Sequence, residues 1–105
     1  MYLLRLHVNG AARDLFDRLR TLATEADAYV VAAGNLGTLT ELFLTWTLLE
    51  MRQIPPRPLV LFGAAWRPFL DHLAGTGLAS AAQLARVTVA ETPEDALAAL
   101  RVGPA

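Results

Sequence analysis

The sequence predicts a small α/β domain: a parallel sheet of about four strands with helices on both faces. Three observations lead there. The runs Ala28-Tyr29-Val30-Val31-Ala32 and Leu59-Val60-Leu61-Phe62 are unbroken apolar stretches, as expected of strands buried on both faces. Between them, apolar residues recur at spacings of three and four, the period of a helix with one buried face. The two patterns alternate along the chain, which is the signature of right-handed βαβ crossovers.

Taken in order, Tyr2 to Val8 is a strand candidate closed by Asn9-Gly10, a pair suited to a turn because both residues tolerate positive φ. From Ala11 to Thr24, Leu15, Phe16, Leu19, Leu22 and Ala23 fall on one helical face, with arginines elsewhere. The Ala28 to Ala32 strand follows, bounded by Asp27 and Gly34. A second helix starts near Gly37 or Thr38 and runs to about Arg52, with Leu39, Leu42, Phe43, Trp46, Leu48 and Leu49 making it too apolar to be solvated all around. Ile54-Pro55-Pro56-Arg57-Pro58 cannot continue that helix, since proline lacks an amide hydrogen and restricts the residue before it. Beyond the Leu59 to Phe62 strand and Gly63, Trp66 to Leu73 reads as a helix, and Ala82 to Ala90 as holding a short strand at Arg86-Val87-Thr88-Val89. Thr92 then caps a last helix with Pro93 in its first turn.

Composition narrows the function. A length of 105 residues allows one domain, spanning 1–105, with a single core. Nine basic and ten acidic residues leave a net charge of −1, without the positive field that nucleic-acid binding requires. With 54% hydrophobic and 18% charged residues, the composition suggests either a thinly charged surface or a buried partner interface, and a homo-oligomer through the 39–51 helix is the expectation. There is no cysteine, which excludes disulfides and thiolate chemistry and points to the cytoplasm. The stretch from Met1 to Val8 is short and carries Arg5, so it reads as neither a signal peptide nor a membrane span. His7 and His72 lie in unrelated segments, and no His, Asp or Glu cluster has metal-ligand spacing.

Ligands of parallel sheets sit beyond the carboxyl ends of the strands, which draws attention to the turn after Ala32. There Gly34 and Gly37 flank Asn35-Leu36, so the backbone can turn sharply and approach a ligand, while free amides at the helix start face any bound anion. Thr38 adds a hydroxyl. The segment Ala33-Gly34-Asn35-Leu36-Gly37-Thr38-Leu39-Thr40-Glu41 resembles the PGGxGTxxE motif of the LONELY GUY (LOG) family, also called lysine decarboxylase-like. Arg18 stands fifteen residues before Ala33, at the spacing of that family's functional arginine. Ala26-Asp27-Ala28-Tyr29, Trp46, the Pro58 to Leu61 strand and Trp66-Arg67-Pro68-Phe69-Leu70 fit it as well. Ala33 replaces the motif's proline, Asn35 its second glycine, and Leu19 the lysine after the arginine. The likeness covers nearly all of this chain and about the second half of a family member.

The resemblance implies a three-layer Rossmann-like fold, usually dimeric, that binds a nucleoside monophosphate such as AMP. In active members it implies hydrolysis of the N-glycosidic bond, releasing base and ribose 5-phosphate without a cofactor. By position, Arg18 and Glu41 would form the catalytic pair, and Gly34, Asn35, Gly37 and Thr38 would hold the phosphate or nucleotide. Plainer roles exist for the same residues. Arg18 fits a solvated helix charge, Glu41 a first-turn acid favoured by the helix dipole, Asn35 an ordinary turn residue, and Trp46 and Trp66 core or interface positions. The alternative function is a non-catalytic module that dimerises through the 39–51 helix.

Overall fold

A computed structural model of the chain describes residues 2–4 and 15–102. In order these form β1 (Tyr2–Leu4), α1 (Leu15–Glu25), β2 (Ala28–Ala32), α2 (Leu36–Glu50), β3 (Leu59–Phe62), α3 (Trp66–Thr76), α4 (Ala81–Leu84), β4 (Val87–Ala90) and α5 (Pro93–Val102). The strand expected over residues 5–8, the Asn9-Gly10 turn and the helix expected over residues 11–14 lie outside the described residues.

The sheet order is β1-β2-β3-β4. Strands β2, β3 and β4 are parallel, with Tyr29 beside Leu59 and Leu59 beside Val87. The parallel part therefore has three strands rather than the four expected, because β1 runs antiparallel to β2, with Tyr2 opposite Val30 and Leu4 opposite Ala28. An unbroken apolar run reports burial, not direction, and an edge strand has only one neighbour to fix its polarity.

Side chains alternate across a sheet, so this register places Tyr29 and Val31, Leu59 and Leu61, and Val87 and Val89 on one face. That face packs into a single core with Leu42, Trp46 and Leu49 of α2 and Trp66 and Leu73 of α3. On the other face Val60 and Ala90 are buried while Thr88 is exposed, and α5 packs beside β3 and β4. Helices thus surround the sheet, as a Rossmann-like fold requires.

Three local outcomes differ from expectation. In α1 Leu19 and Ala23 are buried, whereas Phe16, assigned to the apolar face, is 82% exposed in the helix's first turn. Helix α3 runs on to Thr76 and is ended by Gly77 in the left-handed conformation, φ 76°. Ahead of β4, which bears out the short strand expected at 86–89, lies an additional helix, α4. It is nucleated by a capping box, in which Ser80 Oγ accepts from Gln83 N and Gln83 Oε1 accepts from Ser80 N. Thr92 caps α5 as expected, its hydroxyl accepting from Asp95 N at 3.1 Å. Among the described residues, no helix is long and apolar enough to cross a membrane.

The seam between α1 and β2 is closed by polar contacts. Tyr29 is fully buried, and its hydroxyl donates to the Ala23 carbonyl near the end of α1. Arg57 Nη1 donates to the same carbonyl (3.1 Å), to the Thr24 carbonyl (3.0 Å) and to Tyr29 Oη (3.1 Å). These are carbonyls of the last helical turn, which have no partner within the helix. Burial raises the Tyr29 pKa above its ordinary value, outweighing the lowering effects of Arg57's hydrogen bond and charge.

Tyr29→Phe is expected to cost about 1–2 kcal/mol in urea unfolding with an unchanged denaturant slope, because a buried acceptor and a guanidinium lose a partner. The raised pKa also has a sign. Above pH 10 the unfolded chain releases the phenolic proton more readily than the native one, so Tyr29's contribution to stability is lost as the pH rises. The phenylalanine variant should show a shallower alkaline decline.

Candidate functional site

Helix α2 begins four residues after β2 ends, so its amino terminus lies at the carboxyl end of a parallel strand. Asn35 is the N-cap, in extended conformation, with its side-chain Oδ1 accepting from Gly37 N (3.0 Å) and Thr38 N (3.3 Å). Neither Gly34 nor Gly37 has a positive φ among the described residues, so conformational freedom is not what requires glycine here. Close approach is. A Cβ on Gly34 would lie 2.3 Å from Thr38 Oγ1 and 3.1 Å from its Cβ, and Thr38 is itself buried. At Gly37 the nearest atom to such a carbon would be Asn35 Oδ1, at 3.2 Å. The two glycines thus let the strand end, the cap and Thr38 fold onto one another.

A cavity of about 270 Å³ opens beside this turn, lined by Arg18 and Leu19 of α1 and by Asn35, Gly37, Thr38, Thr40 and Glu41. Five of the six site residues expected from the sequence, separated by up to 23 positions, therefore meet in one place. Gly34 is not on the wall but lies beneath it, against Thr38. Arg18 is exposed and comes from the facing helix, held by the buried Leu19 next to it. Glu41 is half-buried and belongs to the second turn of α2, one turn beyond where a dipole-favoured acid would sit. Among the described residues, neither side chain has an ion-pair or hydrogen-bond partner. The cavity thus joins a guanidinium, a carboxylate and the positive end of a helix, a set able to orient an anion and move a proton. Thr40, not singled out from sequence, lines it too, although its hydroxyl is turned back to the Leu36 carbonyl at 3.1 Å.

A second, apolar groove of about 400 Å³ lies on the other side of α2, where Phe43, Trp46 and Met51 face Leu73, Leu78 and Ala79. Trp46 belongs to the core at 6% exposure, with its Nε1 donating to the Gln83 carbonyl at 3.0 Å. On this side the exposed apolar residues are Phe43 of α2 and Met51, its C-cap, which are 41% and 61% exposed.

The family described as possible lysine decarboxylase matches residues 5–100 of the chain. A cytokinin riboside 5'-monophosphate phosphoribohydrolase of Rhodococcoides fascians is 33% identical over 106 residues, covering 94% of this chain and 50% of that protein. The chain therefore spans about half the length of this relative.

Gly34→Ala should destabilise the protein by about 1–3 kcal/mol, because a β-branched and buried Thr38 cannot swing aside from the added carbon. Pairing it with Thr38→Ser should recover much of the loss, since without the methyl the hydroxyl can rotate away and only the 3.1 Å approach to Cβ is left. Chemical denaturation of both variants checks this.

Proposed function

The chain belongs to the LOG family, described as possible lysine decarboxylase, and from that premise we propose that it binds a nucleoside monophosphate such as AMP between α1 and the start of α2. The observation that supports this reading is the convergence of Arg18, Glu41 and the α2 amino terminus on one cavity. In the proposed pose the phosphate faces the turn of Gly34, Asn35, Gly37 and Thr38, where backbone amides and the helix dipole favour negative charge. Arg18 pairs with the phosphate or assists the departing base, and Glu41 faces the sugar.

From there the reaction is hydrolysis of the N-glycosidic bond. Water oxygen bonds to the anomeric carbon, the carbon–nitrogen bond breaks, and its electron pair leaves with the base, which ends protonated. Glu41 stabilises the oxocarbenium-like sugar or accepts the proton of the attacking water. No cofactor is needed for this balance. A nucleotide of this kind is a cytoplasmic metabolite, and the cytoplasm is the compartment we propose.

Size favours a second reading alongside the first. Small-molecule sites usually measure about 300–1,000 Å³. This cavity, at about 270 Å³, suits a phosphoribosyl group better than a whole nucleotide excluded from water. Binding without turnover, in a homo-oligomer joined through α2, is therefore the alternative. Its support is the apolar groove with Phe43 and Met51 exposed beside a 72% exposed Leu78.

Calorimetric titration with AMP, followed by chromatography for adenine and ribose 5-phosphate, tests the first reading. Glu41→Gln should keep AMP affinity within about threefold while product formation falls about a hundredfold, and Arg18→Ala should weaken binding about tenfold. Heat without product selects the non-catalytic alternative, and the absence of both removes the nucleotide. For the oligomer, Phe43→Glu combined with Met51→Glu should shift sedimentation to the monomer with unchanged circular dichroism. An unaltered sedimentation coefficient would remove α2 as the interface.

A further inference from the structure

We propose that Asn35 is a built-in competitor for the anion-binding amides of this site, so that an anionic ligand must turn its side chain out before it can bind. This rests on the nucleotide reading above and adds a specificity-setting residue to it. The first amide bonded within α2 is Leu39 N, which donates to the Asn35 carbonyl at 3.2 Å. Of the first-turn amides ahead of it, at Leu36, Gly37 and Thr38, the last two already donate to Asn35 Oδ1. An amide carries one hydrogen, so a phosphate oxygen and the carboxamide oxygen exclude each other at these donors.

The carboxamide also occupies space. Its oxygen lies over Gly37, close enough that even a Cβ there would stand 3.2 Å away, and Asn35 and Gly37 share the cavity wall with Arg18 and Glu41. Asn35 is exposed, so no packing holds its side chain against rotation into solvent. What does hold it is the cap itself, which a ligand must give up and replace with its own bonds. The consequence is selectivity. A ligand reaches the amides only if its acceptor is stronger than a neutral carboxamide, and charge-assisted acceptors such as phosphate are. Neutral acceptors of the same shape gain nothing by displacing Asn35.

Two variants separate capping from binding. Glycine is nearly as good an N-cap as asparagine, so Asn35→Gly should fold, with a slightly lower Tm, and leave both amides free. Its affinity for AMP and for inorganic phosphate should rise about fivefold, the equivalent of a typical cap interaction. Asn35→Asp should keep or raise the Tm, because a carboxylate suits the helix start, yet weaken AMP and phosphate at least about tenfold by holding a negative charge on the same donors. Adenosine, which lacks the phosphate, should show no such ordering. In amide NMR spectra, saturating phosphate should shift the Gly37 and Thr38 resonances in the wild type and in Asn35→Gly. AMP affinity that falls in Asn35→Gly, or that is equal in all three proteins, overturns the competitor role and leaves the nucleotide reading standing. Binding of AMP by none of the three overturns both together.

Discussion

The site depends first on the seam between α1 and β2. Arg18 reaches the cavity from α1, whereas every other lining residue except Leu19 comes from the start of α2. The two helices pack on each other and are joined through β2. Tyr29 ties the end of α1 to β2, because its ring is buried in the core while its hydroxyl reaches the Ala23 carbonyl. Arg57, just ahead of β3, reinforces the contact by donating to the Ala23 and Thr24 carbonyls and to Tyr29 itself. A helix end, a strand and a proline-rich connection thus meet at one phenol. Mutual satisfaction is what makes burial of these polar groups affordable, since a lone buried hydroxyl or carbonyl would cost more than it returned.

That seam explains which parts of the architecture were legible in the sequence. The β2 and β3 runs could be read because burial on both faces leaves no polar position, and the α2 stripe because Leu42, Trp46 and Leu49 repeat at the helical period. The direction of β1 could not be read, since it depends on pairing between distant segments rather than on local composition. Phe16 was misplaced for a related reason. Periodicity gives the face of a helix but not where its neighbour ends, and Phe16 lies ahead of Leu19 and Ala23, which α1 buries. Helix α4 was different, because its signal was present: Ser80 and Gln83 have the spacing of a capping box, but a helix of four residues is too short to show an apolar period.

At the cavity, the sequence named residues that do come together, without showing how they relate. Arg18, Asn35, Gly37, Thr38 and Glu41 gather on one cavity wall, although only the last four are near one another in the chain. The glycines, by contrast, serve an end other than the one inferred from turn chemistry. Gly34 is needed because Thr38 packs where its side chain would be, a three-dimensional exclusion that no local propensity encodes. The direction of the Asn35 carboxamide was equally invisible, as a rotamer choice is made by donors that exist only once the helix has formed.

Replacement of a glycine by asparagine in such a turn therefore has two effects of opposite kind. It supplies a cap that stabilises the start of α2, and it fills the donors on which an anion would rely. Stability of the helix and occupancy of the site become alternatives at the same two amides. The cavity's remaining charge-bearing groups then matter more, because Arg18 lies on the facing helix and is untouched by the cap. A ligand could be held at first by the arginine alone and claim the amides afterwards, as Asn35 rotates into solvent. The order follows from exposure, since both Arg18 and Asn35 are accessible while Thr38, the innermost donor, is buried. In the arrangement proposed, the asparagine would set a threshold on ligand charge, and the shape of the cavity would decide which sugar or base came with it.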